Sequence, residues 1–167
     1  MSQSAAAAPY KSTFVVKPEW VDDNGHMNVA YYLSAFDDGG EVFFQDCGIG
    51  WDYTRQGRGT VFIANCDLDF RRELFVDERL RVETQLIDWT PKLVHTYQAL
   101  YHQVDGYLAA TAEMLFVHIA FADRKSTPMP SPAQERLAAV AKTHNALARP
   151  ENLGRKIAIK RSVDSIT

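Results

Sequence analysis

Cysteine is scarce in this chain: Cys47 and Cys66 are the two thiols in 167 residues, and neither belongs to a CxxC pair. That excludes a disulfide-framed scaffold and suits two reduced thiols in a reducing compartment. Long apolar runs are missing as well, since no stretch approaches the ~18 continuous apolar residues of a membrane span. Nor is there an excess of one charge. Lys and Arg number 18 against 21 Asp and Glu, a net charge of −3, so no global field draws nucleic acid or an anionic membrane. The opening stretch Met1–Lys11 lacks the basic start and apolar core of a secretory signal. Residues 1–9 therefore read as a flexible leader, and the expected location is the cytoplasm. Repeats and low-complexity linkers are absent apart from the run Ala5–Ala8. With 46% hydrophobic residues, the chain can bury the core of one domain.

What is present changes period along the chain. Residues 10–17 are rich in β-branched and aromatic types and read as a strand ended by Pro18. Asp22-Asp23-Asn24-Gly25 is a turn, because Asn and Gly tolerate positive φ. From Asn28 to Gln45 the apolar residues Val29, Tyr32, Leu33, Phe36, Phe43 and Phe44 recur at helical spacing, with Asn28 as N-cap. Gly39-Gly40 costs such a helix about 1 kcal/mol per residue against Ala, which implies close packing against another backbone. Residues 46–60 carry four glycines and read as a loop or loose helix.

Thr60–Arg72, Arg79–Asp88, Lys92–Gln103 and Tyr107–Ala122 read as strands, the last two joined through the hairpin signal Asp105-Gly106. Their short links require antiparallel neighbours. After Pro128, Pro130 and Pro132, a helix over Ala133–Leu147 closes the chain, and the basic tail from Arg149 carries no signal. The expected organisation is a domain over 10–130 and a C-terminal helix and tail over 131–167. The fold class is α+β, an antiparallel meander wrapped around one buried helix.

The densest polar cluster, Asp22 to Asn28, lies between the first strand and that helix. The first N–H groups of a helix have no intrahelical partner and sit at the positive end of its dipole. A carbonyl held there is polarised, and the oxyanion formed on attack is stabilised. A nearby carboxylate can deprotonate water or attack the carbonyl. Ester or thioester hydrolysis needs no more, and no metal or cofactor. The plainer alternative, in which an Asp caps the turn and His26 packs, stays open on the residues alone. A calcium loop of the EF-hand type fails because Trp20 occupies the position five before Gly25. A zinc site fails because His26 has no His or Cys beside it.

Asp22-x-x-Gly25-His26-Met27-Asn28, with Tyr32-Leu33 and Phe36-Asp37-Asp38 following, resembles the opening motif of the 4-hydroxybenzoyl-CoA thioesterase family of hot-dog proteins. Asp105-Gly106, Met114–Ile119 and Pro128-x-Pro130 fit the same family, so the likeness spans residues 12–130. The resemblance implies a hot-dog fold acting on an acyl-CoA as a homodimer or homotetramer, with the site at the subunit interface. It implies Asp22, rather than Asp23, as the catalytic carboxylate and an oxyanion-binding N–H near Val29. It places His26 and Asn28 at loop-shaping positions near the thioester and Tyr32 beside the site.

A second resemblance, carried by Trp20–Phe36, Glu113-Met114-Leu115, His118, Arg149-Pro150 and Gly154-Arg155, is to the betainyl-CoA thioesterases of bacterial carnitine catabolism. A quaternary ammonium acyl group would call for aromatic walls. Trp51 and Tyr53, with Trp20, Tyr31 and Trp89, are the candidates, although composition favours ordinary core and interface roles for them. Arg71 and Arg72, with Arg55 and Arg58, are candidates for CoA phosphates, or simply exposed charges. Asp37 and Glu41, one turn apart, fit a solvated or subunit-facing stripe better than a catalytic acid, and His118 fits an interior histidine. A hot-dog hydratase or dehydratase, and a non-catalytic acyl-CoA-binding protein, are the competing functions.

Overall fold

The computed structural model describes residues 7–158. In chain order it contains β1 (Tyr10–Val15), a 3-10 turn (Pro18–Trp20), α1 (Val29–Asp46), α2 (Trp51–Arg55) and β2 (Gly59–Phe70). Then follow β3 (Arg79–Trp89), β4 (Leu93–His102), β5 (Leu108–Ala120) and α3 (Ser131–His144). The five strands form one sheet in the order β1-β3-β4-β5-β2, and every ladder is antiparallel.

One helix is buried on one face of this sheet, as the sequence pattern requires. Alternation puts Leu80, Val82, Thr84 and Leu86 of β3 inside, and Val94, Thr96, Gln98 and Leu100 of β4 beside them. Against them α1 presents Tyr32, Ala35, Phe36, Gly39, Gly40, Phe43 and Phe44, all buried. Phe44 meets Phe116 of β5 edge-on at 4.7 Å between ring centres, and each fully buried Phe contributes about 1.5–3 kcal/mol. This is the α+β hot-dog arrangement the sequence implies.

Two expectations need correction. The strands do not form a single meander: β2 leaves its sequence neighbour β3 and pairs with β5 at the far edge. The Gly39-Gly40 pair makes room for side chains rather than for backbone. A Cβ on Gly39 would lie 2.7 Å from Val82 Cγ1, and one on Gly40 would lie 2.6 Å from Gln98 Nε2. The Gly-rich stretch, read as a loop or loose helix, contains the short helix α2.

The C-terminal part is tied to the sheet. His144 of α3 accepts a hydrogen bond from Leu86 N–H at 2.8 Å, where the β3–β4 register shifts between Leu86 and Asp88. The tail also docks, which its sequence did not announce. Tyr97 donates to Asn152 Oδ1 at 2.6 Å, and Arg155 forms ion pairs with Asp67 and Asp69 at 2.7 and 2.8 Å. The leader lies outside the described residues up to position 6, and the tail from position 159. No helix among the described residues is long and apolar enough to cross a membrane.

Candidate active site at the N-terminus of the buried helix

The polar cluster folds as a pinched loop. Val21 and Met27 form an isolated antiparallel bridge, Asp22 N–H donates to His26 O at 3.2 Å, and Gly25 N–H donates back to Asp22 O at 2.9 Å. Gly25 takes φ of +80°, a conformation that favours glycine. Two further bonds fix the loop to the body: Met27 N–H to Leu74 O at 2.7 Å and Asn28 N–H to Trp20 O at 2.8 Å.

Asn28 performs two tasks with one amide. Its Oδ1 accepts from Ala30 N–H at 3.0 Å, capping α1, and its Nδ2 donates to Asp22 Oδ2 at 2.8 Å. Asp22 Oδ1 accepts from Asn24 N–H at 2.9 Å. The Asn28 bond, then the Asn24 bond, holds the Asp22 carboxyl below the ordinary carboxylate range. Asp22 is therefore ionised at neutral pH, fit to accept a proton or attack but not to donate one. Among the described residues the Val29 N–H has no acceptor, and Val29 is exposed. A free donor at the positive helix end thus stands next in sequence to the residue that orients the carboxylate.

A cavity of about 280 Å³ opens here, its wall including His26, Val29, Tyr32, Phe70, Arg71 and Arg72. Asp22 is not part of that wall; Asn28 is what joins it to the helix start. Tyr32 is buried, donates to Arg72 O at 3.3 Å and meets Phe70 edge-on at 5.2 Å; burial pushes its phenol up to about 12. His26 Nε2 lies 3.8 Å from the Glu73 carboxylate. Arg71 pairs with Asp69 at 2.8 Å, and the Arg72 guanidinium stacks 3.9 Å from the Tyr107 ring centre. Both arginines are positioned by backbone bonds from their N–H groups to Ala109 O.

Within one chain the other candidates lie elsewhere. Trp51 lines a separate cavity with Asp37 and Glu41. Tyr53 is buried against His118, their Oη and Nε2 atoms 3.0 Å apart, and His118 Nδ1 lies 2.9 Å from Thr127 O. His118 is thus an interior histidine with both ring nitrogens engaged. Trp20 stacks on Tyr31 at 5.7 Å, and Trp89 ends β3. No single chain assembles these aromatics into one box. Sequence reasoning missed Phe70 and Glu73 as neighbours of the cluster, because a strand end brings them there from more than forty residues away.

A helix buried on an antiparallel five-stranded sheet, with a carboxylate tied to its N-cap, defines a hot-dog protein of the hydrolytic kind. The chain belongs to the thioesterase-like superfamily, whose pattern matches residues 16–137. It is 32% identical over 144 residues to a betainyl-CoA thioesterase of Pseudomonas aeruginosa, covering 86% of this chain and 91% of that one. It is 33% identical over 140 residues to an L-carnitine dehydrogenase/betainyl-CoA thioesterase of Ruegeria pomeroyi, covering 83% of this chain but 28% of that longer protein. Among solved structures it superposes on a Staphylococcus aureus protein in complex with CoA with a TM-score of 0.85 and 27% identity, covering 95% of this chain and all of that one. A 1,4-dihydroxy-2-naphthoyl-CoA thioesterase from Synechocystis shares the fold with a TM-score of 0.68 at 18% identity, over 77% of this chain and 95% of that one.

Proposed function

We propose that this protein hydrolyses an acyl-CoA thioester to the free acid and CoA, with Asp22 as general base or nucleophile. The observation that carries the reading is the Asp22–Asn28–α1 arrangement: an ionised carboxylate bonded to the N-cap of a helix whose Val29 N–H is free. Asp22 takes a proton from water, which adds to the carbonyl carbon, or adds itself to form a mixed anhydride that water then cleaves. In either route negative charge moves to the carbonyl oxygen, where the Val29 N–H and the helix dipole stabilise it. The C–S bond then breaks and CoA leaves as thiolate, a weak base that needs no strong general acid. His26 and Tyr32 shape the cavity, and Arg71 and Arg72 at its wall suit the CoA phosphates.

The working unit is a homodimer, alone or paired into a tetramer. β2 is an edge strand of 12 residues whose outer rim has no partner within the described residues. It exposes Phe62 at 61% and Phe70 at 46%. Long apolar edges of this kind call for covering, and a second β2 does so across a two-fold axis. The betainyl-CoA thioesterase relatives favour a small cationic acyl group.

Thiol release from betainyl-, acetyl-, medium-chain and aromatic acyl-CoA tests the reading. Turnover is expected, with betainyl-CoA foremost; absence of cleavage across the panel would overturn it.

A further inference from the structure

The face of the sheet turned away from α1 carries a second cluster of charged groups. In the strand registers Asp69 stands opposite Thr111, Asp67 opposite Glu113, and Glu113 opposite Tyr97 of β4. Residues opposite one another share a face, so these five side chains stand together. Residues 152–155 cross them from β4 to β2. Asn152 accepts from Tyr97 Oη at 2.6 Å and donates to Thr111 Oγ1 at 3.3 Å. Gly154 N–H donates to Glu113 Oε2 at 2.6 Å, while Glu113 Oε1 lies 2.8 Å from His95 Nε2. Gly154 takes φ of +64°, a left-handed turn that favours glycine, and Arg155 follows it onto β2.

Arg155 grips three successive residues of that strand. Its Nε donates to Asp67 Oδ1 at 2.7 Å, its Nη2 donates to Leu68 O at 2.6 Å, and its Nη1 lies 2.8 Å from Asp69 Oδ1. The other oxygen of Asp69 holds Arg71 at 2.8 Å. One carboxylate thus joins the tail to a residue in the wall of the Asp22-side cavity. Arg71 engages Asp69 through Nη2, and its side chain is 46% exposed, so its remaining N–H donors are open to a ligand. The charges decide whether an anion is welcome there. Asp67 and Asp69 against Arg71 alone would leave a net negative charge at the end of β2, beside the cavity. Arg155 brings that end to neutral. Phosphates approaching Arg71 would otherwise meet a like charge within the range over which salt does not screen it.

Resting on the reading of an acyl-CoA substrate with Arg71 at its phosphates, we propose that Arg155 is a positioning residue for CoA recognition. It neutralises Asp67 and Asp69 and holds Asp69 in place, so that Arg71 meets the phosphates with no uncompensated carboxylate behind it. Arg155 acts through Asp69 and not on the thioester. It sets the preference for a thioester carried by CoA over one carried by a phosphate-free thiol.

The test compares two thioesters of one acyl group: betainyl-CoA and betainyl-N-acetylcysteamine, which ends before the phosphates. In Arg155→Gln, KM for betainyl-CoA is expected to rise about fivefold or more while kcat changes by less than about twofold, the pattern of lost uniform binding. KM for the N-acetylcysteamine ester should change by less than about twofold. Arg155→Lys, which keeps the charge, recovers most of the loss. Calorimetry of free CoA provides a readout without catalysis. Arg155→Gln weakens CoA, whereas Asp67→Asn, which removes a carboxylate and leaves Arg155 in place, tightens it. The double variant Arg155→Gln/Asp67→Asn returns toward the wild type. A merely structural role for the tail would weaken CoA in all of these variants and raise KM for both esters. That result, or an unchanged CoA affinity in Arg155→Gln, would overturn the proposal. If no thioester is cleaved while the CoA affinities move as stated, the hydrolase reading falls and the role of Arg155 stands.

Discussion

Asn28 binds the start of α1 and the Asp22 carboxylate with the two ends of one amide, through bonds of 3.0 and 2.8 Å. Asn28→Ala therefore affects stability and chemistry together. Loss of the cap costs about 1 kcal/mol, a fall of about 2–4 °C in Tm for a chain of this size. Loss of the donor removes the main cause of the lowered Asp22 pKa. The carboxylate then protonates at higher pH, and the acid limb of the kcat/KM profile moves upward. An acid limb unmoved in Asn28→Ala would separate Asp22 from the rate.

Gly39 faces a side chain that cannot step aside. Val82 is fully buried and β-branched, so its χ1 is stiff, and a Cβ at Gly39 would lie 2.7 Å from its Cγ1. Gly39→Ala gains about 1 kcal/mol of helix propensity but overpacks the core at a cost of about 1–3 kcal/mol. The net expectation is a lower Tm. The double variant Gly39→Ala/Val82→Ala should be more stable than the sum of its parts, as a denaturation cycle would show. Strict additivity would mean that the contact is relieved by helix movement.

Phe62 is 61% exposed on β2, so it has little packing to lose in the monomer. Phe62→Asp should leave Tm of the isolated chain within about 0.5 kcal/mol of equivalent stability yet weaken the dimer, and sedimentation should report the smaller species. Thioester turnover should fall with the dimer population. An unchanged mass at micromolar concentration would place the subunit contact elsewhere.

Local chemistry made much of this fold legible. Asn28 reads as an N-cap from its type and place, Gly106 adopts φ of +74° where Asp105-Gly106 calls for a turn, and the alternation of Leu80, Val82 and Leu86 fixes the buried face of β3. Long-range pairing was not legible. Nothing in Gly59–Phe70 states that it leaves β3 for β5, because that choice is decided by tertiary packing. Arg155 likewise looked like one more basic tail residue until the sheet set Asp67 and Asp69 beside it. The candidate site divides the same way. Asp22, His26, Asn28 and Val29 are neighbours in sequence and formed a readable motif, while Glu73 joins His26, and Trp51 joins Asp37 and Glu41, only through the fold.

In the proposed mechanism the Asp22 carboxylate performs the chemistry. Asp22→Asn keeps the size of the side chain and a hydrogen-bonding oxygen toward Asn28 while removing the charge. Single-turnover thiol release from betainyl-CoA by this variant is the direct test. The expected result is a fall of at least about 100-fold, the scale of a lost general base, with Tm and dimer mass preserved. A rate equal to that of the wild type would contradict it.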